Sequence, residues 1–290
     1  MPVAPGVGAG RRFSTHMKLS VISPTLNEAR NVPVLVEQLQ RTLQNVDYEI
    51  LIVDDNSPDL TWLVAEQISL KDPRVRTLRR MKNPGLGMAV IDGFSAAEGD
   101  MLACIDADLQ HDPSILPRMI EELQRDKGVD IVVGSRHVKG GGFGEWSRWR
   151  RFESWCANKA AQLLLGFELK DPMSGYFLVW RKDFNRVQEL LKGSGFKILL
   201  EILAKLRTAR VKEVPYTFRP RAVGQSKLSC KIVLLYFHQL WRLCGESRRA
   251  SVRLLKLRAD QVAGVFGNLA ASGILLNVAA RMREWSRFPR

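Results

Sequence analysis

The chain has 290 residues, 46% hydrophobic and 26% charged, enough for one large domain or one domain with an appendage, and for a substantial core. Lysine plus arginine number 44 against 30 acidic residues, a formal charge of +14 that calls for an anionic partner: nucleic acid, acidic lipid or a phosphorylated substrate. Cys104, Cys156, Cys230 and Cys244 form no C-x-x-C pair, which argues against a zinc site or disulfide framework, and no apolar stretch follows Arg11 and Arg12, which argues against a secretory signal peptide.

Residues 1–17 are rich in Gly, Pro and Ala and are expected to form a disordered extension. From Leu19 onward short β-rich runs alternate with amphipathic segments. Strands are expected over 19–23, 49–53, 75–78, 101–105 and 130–134, and helices over 32–44, 61–70, 86–98 and 114–125, the helix starts being marked by Asn31, Asp59 and Asp112. This succession implies an α/β domain with a mostly parallel, Rossmann-like sheet covered on both faces. Ligands then bind at the carboxyl ends of the strands, near a topological switch point.

The loops at those ends are acidic: Pro24-Thr25-Leu26-Asn27-Glu28 after the first strand, Asp54-Asp55-Asn56-Ser57-Pro58-Asp59 after the second, Asp106-Ala107-Asp108 after the fourth. Like charges gathered at one rim repel unless a cation or ligand donors are present. Asp106 and Asp108, two apart at the end of an apolar run, are expected to point the same way. Two hard oxygen ligands beside an open position suit Mg or Mn, which keeps waters and takes further ligands from a diphosphate. A dinucleotide dehydrogenase and a P-loop NTPase are not supported, because the chain lacks G-x-G-x-x-G after the first strand and G-K-[ST] anywhere.

The loops named above, with Gly85-Leu86-Gly87, Gly93-Phe94, Gln110-His111, Gly134-Ser135-Arg136, Asp171-Pro172-Met173-Ser174-Gly175-Tyr176-Phe177, Arg221 and Gly224-Gln225-Ser226-Lys227-Leu228, resemble family 2 glycosyltransferases. Within that group the likeness is to dolichyl- and polyprenyl-phosphate mannose synthases, from about residue 18 to about residue 243. The resemblance implies a GT-A fold over 18–228 and inverting transfer of a sugar from a nucleotide diphosphate to a lipid monophosphate. Carried over by position, Pro24, Glu28, Val53, Asp55, Asp106, Ala107 and Asp108 would bind the nucleotide sugar, and Asp106, Asp108 and Gln110 would hold the metal. The family motif has Tyr where this chain has Leu26, so an aromatic contact to the base is missing there.

Displacement at an anomeric carbon needs a leaving group whose charge is absorbed, a task for the metal assisted by Arg221 and Lys227, with Asp108 and Arg136 completing the expected catalytic set. A phosphate acceptor arrives deprotonated and needs cationic positioning instead of a base. Arg136, the cluster Arg148, Arg150 and Arg151, and Ser174 are the candidates for that site. Asp171 is a candidate for sugar binding or acceptor positioning, and His111 is left without a role.

Residues 229–290 are expected to meet a membrane. Over 229–246 apolar residues cover most of a helix, with Lys231, His238, Arg242 and Arg249 in one narrow stripe, as in a helix lying in an interface. The basic run Arg248, Arg249, Arg253, Lys256 and Arg258 would face anionic headgroups. The uncharged segment 262–280 fits a membrane helix, a re-entrant or interfacial helix, or a soluble packing helix. The expected protein is thus a membrane-associated enzyme on the cytoplasmic face, using GDP-mannose and dolichyl or polyprenyl phosphate, with a membrane-anchoring partner subunit in some relatives and no nucleic acid. The alternatives are a UDP-sugar donor such as UDP-glucose, and a non-enzymatic basic protein that binds membrane or nucleic acid.

Overall fold

The computed structural model describes residues 17–246 except 167, 194, 196, 220–235 and 237. Arg221, Lys227, the basic run, the 262–280 segment and all of the N-terminal extension but Met17 lie outside the described residues.

Seven strands form one sheet: β1 (Leu19–Thr25), β2 (Tyr48–Asp54), β3 (Val75–Arg79), β4 (Met101–Cys104), β5 (Ile131–Ser135), β6 (Phe177–Trp180) and β7 (Val211–Pro215). Their order is β3-β2-β1-β4-β6-β5-β7. Every pairing is parallel except the two made by β6, which runs against β4 and β5. The chain builds outward from β1 to β3, then returns to place β4 on the other side of β1. The β1/β4 junction is therefore the switch point at which such sheets bind ligands.

The helices are α1 (Val32–Thr42), α2 (Thr61–Ser69), α3 (Leu86–Ala96), α4 (Leu116–Arg125), α5 (Arg148–Leu165), α6 (Arg181–Val187) and α7 (Ile198–Lys205), with a further helix, α8, over 238–246. Strands β1, β2, β4 and β5 are buried on both faces because they are apolar at successive positions, while the edge strands β3 and β7 are only partly buried. Ile50 and Ile52 of β2 with Met101 and Ala103 of β4 enter one core, and Leu51, Val53, Leu102 and Cys104 enter the other. Gly93 of α3 lets that helix close on the second face, since a Cβ there would meet Ile22 at 2.6 Å and Val53 at 2.8 Å.

Several boundaries differ from expectation. β1 and β2 run two residues and one residue further, and β4 stops at Cys104, so Ile105 leaves the ladder. Of the three expected helix starts, Asp112 accepts from Ser114 N at 3.0 Å and Asp59 from Thr61 N at 3.1 Å. Asn31 instead donates its amide to Glu28 at 2.6 Å, and Leu60, at φ 63°, intervenes between Asp59 and α2.

The largest correction concerns the end of the described chain. Leu240 and Leu243 of α8 pack with Ala161 of α5 and Leu200 of α7, and Tyr236 donates to the Ala157 carbonyl at 2.7 Å. Arg242, expected in a stripe facing away from the apolar side, turns to buried Glu201 at 3.1 Å. This part of the expected interfacial helix is a packing helix, because its apolar side finds protein to cover it. Among the described residues no helix is long and apolar enough to cross a membrane.

Candidate active site

The carboxyl ends of β1 to β4 form a rim with an unusual backbone. Among the described residues, all five non-glycine residues of positive φ, Asn27, Asn56, Leu60, Asn83 and Leu109, lie in the four loops that follow these strands. For leucine this conformation costs about 1–2 kcal/mol, and such strain gathers where ligand geometry over-rides local preference.

At the switch point, Ile105 and Ala107 bury into the first core, and between and beyond them stand Asp106 and Asp108. Past the end of β4 the chain turns, leaving Asp106 partly exposed and Asp108 buried. Asp108 Oδ1 accepts from Gln110 N at 3.1 Å, and Gln110 Nε2 donates to the Arg219 carbonyl at 3.1 Å. Gly175 lies so close that a Cβ there would stand 2.9 Å from Asp106 Oδ2. His111, unassigned from sequence, is buried, stacked on Tyr176 at 5.1 Å and edged by Tyr216 and Phe218. Its Nδ1 accepts from Asp106 N at 3.1 Å, which leaves the proton on Nε2, 3.7 Å from Asp106 Oδ2. Burial pushes this imidazole down to about 4, so it stays neutral and serves as a fixed prop for the acidic loop.

The nucleotide side comes next. Pro24 and Val53 are register partners at the ends of β1 and β2, both buried. Val53's side chain faces α3, so these two residues offer backbone rather than side chains. Glu28 N donates to Thr61 Oγ1 and Asn27 N to Ser57 Oγ, each at 2.9 Å, pinning the first loop to the second. The acids here are less exposed to one another than the sequence suggests. Asp54 is satisfied by Thr25 and Ser57 and Asp59 by Thr61 and Ala29, all neutral donors. Asp55 is held by Arg80 and Gly85 N.

On the acceptor side, Arg136 and Asp171 form a two-pronged ion pair, Nε to Oδ2 and Nη2 to Oδ1, both at 2.8 Å. Asp171 is fully buried. Burial opposes its charge, but the guanidinium more than offsets this and holds the carboxyl below its usual range. Asp171 therefore has no surface for a sugar, and its expected ligand role is corrected to that of Arg136's partner. Ser174 is corrected as well: it is buried, and its hydroxyl donates to the Gly134 carbonyl at 2.7 Å and accepts from Tyr176 N at 3.1 Å. It ties the 174–176 turn to β5 and presents nothing to a lipid phosphate. Arg151 donates to the carbonyls of Trp146 and Gly144, each at 3.0 Å, while remaining exposed at the start of α5.

Lys197, ahead of α7, is a site residue that sequence reasoning missed. Burial and the field of Arg136 lower its pKa, against Asp106 and Asp171, which raise it. This side chain thus interacts with both the acidic loop and the Arg136 pair. Its signal in the sequence was only a flanking Gly193 and Gly195, both with positive φ.

A family model, glycosyl transferase family 2, matches residues 20–188. The chain belongs to glycosyltransferase family 2. Dolichol-phosphate mannosyltransferase of Pyrococcus furiosus is 41% identical over 263 residues, covering 90% of this chain and 70% of that protein. Undecaprenyl-phosphate mannosyltransferase of Micrococcus luteus is 36% identical, covering 75% and 90%, and dolichol-phosphate mannosyltransferase of Saccharomyces cerevisiae is 35% identical, covering 78% and 87%. Among solved structures, glucosyl-3-phosphoglycerate synthase of Mycobacterium tuberculosis has a TM-score of 0.64 at 19% identity, covering 84% of this chain and 86% of that one. That likeness supports the expected GT-A fold. Membership also retires the alternative of a non-enzymatic binding protein. Among the described residues of this glycosyltransferase no three His, Cys, Asp or Glu side chains cluster as a metal site. Two carboxylates and an amide nonetheless fit a hard cation that draws its remaining ligands from water and diphosphate.

Proposed function

We propose that this glycosyltransferase transfers mannose from a nucleotide diphosphate donor, GDP-mannose, to a polyprenyl or dolichyl phosphate. The observation that carries this reading is the identity of 34–41% to relatives named for that chemistry, over most of the chain, together with the acidic loop at the switch point. The acceptor's phosphate oxygen attacks the anomeric carbon from the face opposite the diphosphate. The new carbon–oxygen bond forms as the bond to the diphosphate breaks, with inversion, and the nucleoside diphosphate departs. A phosphate monoester is already ionised, so the chain needs no general base, and a neutral, buried His111 agrees with that.

Asp106, Asp108 and Gln110 are the residues that would hold Mg or Mn, which supplies Lewis-acid stabilisation of the departing diphosphate. Lys197, which interacts with Asp106, is a further cation for the same charge, and Arg221 and Lys227 retain the roles expected from sequence. Arg136, fixed by Asp171 and flanked by the rings of Trp146 and Phe218 at 5.5 and 5.3 Å, orients the acceptor side. The donor's base meets the Pro24, Glu28, Val53 and Asp55 rim. A membrane surface on the cytoplasmic side supplies the lipid, and an anchoring subunit is a further partner in this reading. Its support is α5, on which Phe152, Trp155, Leu163 and Leu164 are exposed beside Arg148, Arg151 and Lys159, with Trp241 exposed on adjoining α8.

The test is sugar transfer from labelled GDP-mannose, UDP-glucose and UDP-N-acetylglucosamine into polyprenyl phosphate, with Mg, with Mn and with chelator. GDP-mannose alone should label the lipid, only with a divalent ion. Asp108→Ala should cut turnover by at least about a hundredfold while leaving the melting temperature within a few degrees, since it weakens diphosphate charge absorption rather than packing. Labelling from UDP-glucose in place of GDP-mannose, or metal-independent turnover, would overturn the corresponding half of the reading.

A further inference from the structure

We infer that Arg80 is a positioning residue: it clamps Asp55 so that this carboxylate meets the N–H edge of the donor's nucleobase. The inference rests on the proposed role of Asp55 as a nucleotide ligand and adds the device that makes Asp55 competent.

Arg80 follows β3 directly, and its N donates to the Asp54 carbonyl at 2.8 Å, so the backbone delivers it to the end of β2. Its side chain is only 5% exposed, and its fork is occupied from three directions. Nε donates to Asp92 Oδ2 at 2.7 Å, Nη2 to the Asn83 carbonyl at 2.6 Å, and Nη1 to Asp55 Oδ1 and, at 3.4 Å, to the Gly85 carbonyl. Gly85 N, at the start of α3, donates to Asp55 Oδ2 at 2.6 Å. One guanidinium thus ties β2, the loop 80–85 and α3 together around a single carboxylate.

The charges decide what that carboxylate can do. Arg80 faces two carboxylates, and Asp92 alone would neutralise it. Asp54, beside Asp55 and fully buried, is held only by neutral hydroxyl and amide donors. Arg79, the register partner of Asp54, spends its fork on the neutral Asn56 side chain, so among the described residues Asp54, Asp55 and Asp92 set three carboxyl groups against two guanidinium groups at the end of β2. A diphosphate would be repelled there and belongs with Asp106, Lys197 and the metal. A neutral ring whose edge presents N–H donors, as the amide edge of guanine or the imide edge of uracil does, is attracted. Each Asp55 oxygen keeps an acceptor direction beyond its protein donor, and the Arg80 fork sets where those directions point. Lysine, a point charge on a flexible stem, cannot hold that orientation.

The experiment is calorimetric titration of the full-length protein with GDP and Mn, combined with KM values for nucleotide sugar and lipid acceptor, in Arg80→Lys, Asp55→Asn and the double variant. Arg80→Lys should weaken GDP binding about tenfold, as loss of an orienting partner commonly does, and leave the acceptor KM unchanged. The double variant should bind no worse than Asp55→Asn alone, the mark of residues that act through one another. Unaltered GDP affinity in a folded Arg80→Lys protein, with Asp55→Asn impaired, would overturn the inference and spare the proposed function. Unaltered affinity in Asp55→Asn would instead remove Asp55 from the nucleotide site. Should Arg80→Lys not fold, Asp92→Asn releases one arm of the fork and is expected to weaken GDP binding roughly threefold, with unchanged binding counting against the clamp.

Discussion

Arg136 and Asp171 carry opposite charges into a place with almost no water, the guanidinium 9% exposed and the carboxylate not at all. Removing one partner of such a pair leaves the other charge uncompensated, so Asp171→Asn should lower unfolding free energy by about 3–5 kcal/mol, read from denaturant midpoints. A loss below about 1 kcal/mol would mean that the pair is solvated in solution. The pH dependence follows from the sign of the shift. Asp171 is held below its unfolded value, about 3.9, so its contribution is present above that value and fades as pH falls through the lower, folded one. Wild type should therefore lose stability steeply below pH ~4, and Asp171→Asn more gradually. Arg136 and Asp106 were visible as residues in motifs. That the motif aspartate at 171 and the serine at 174 serve the fold rather than the ligand was not, because a motif records position and says nothing of what a side chain faces.

At the scale of elements, β1, β2, β4 and β5 were legible from mainly apolar runs, as a sheet covered on both faces uses, and β3 from a short β-rich run between two helical patterns. Strands β6 and β7 were not. β6 is four residues long and reads as the tail of a turn motif, and β7 alternates Val211, Lys212, Glu213 and Val214 like an exposed loop. Both exist because β5 pairs with them across long separations in sequence. The turn before α2 holds a different kind of information. Leu60 adopts φ 63° and is about half exposed, so nothing in packing requires leucine there. Leu60→Asn, a residue that tolerates this conformation, should raise stability by about 0.5–1 kcal/mol, measurable as a higher melting temperature. A lower one would show that the leucine's contacts outweigh the backbone strain.

For the molecule as a whole, the proposed function has the charge of +14 and the exposed aromatic face of α5 meet an anionic bilayer, and that proposal is testable. Basic residues near such a surface contribute about 1 kcal/mol each and are screened within about 10 Å at 0.1 M salt. Full-length protein should co-sediment with vesicles containing phosphatidylserine, less so at high salt. Trp155→Ser with Leu163→Ser should weaken that binding several-fold without lowering the melting temperature. A lower melting temperature with vesicle binding unchanged would mean that protein covers α5 instead.

Sequence by itself determined the α/β class, the sheet's parallel core, the position of Asp106 and Asp108, and the family, because all are written in local periodicity or short ordered motifs. Tertiary structure decided what those motifs touch: Asp171 closes on Arg136, Ser174 on the backbone, Asp55 on Arg80, and α8 on α5 and α7. It also brought Lys197 into the field of Asp106, 91 residues earlier in the chain. The physical reason is the same in each case. Whether a polar group is a ligand or a structural partner depends on its burial and its nearest opposite charge, and both come from segments far away in sequence.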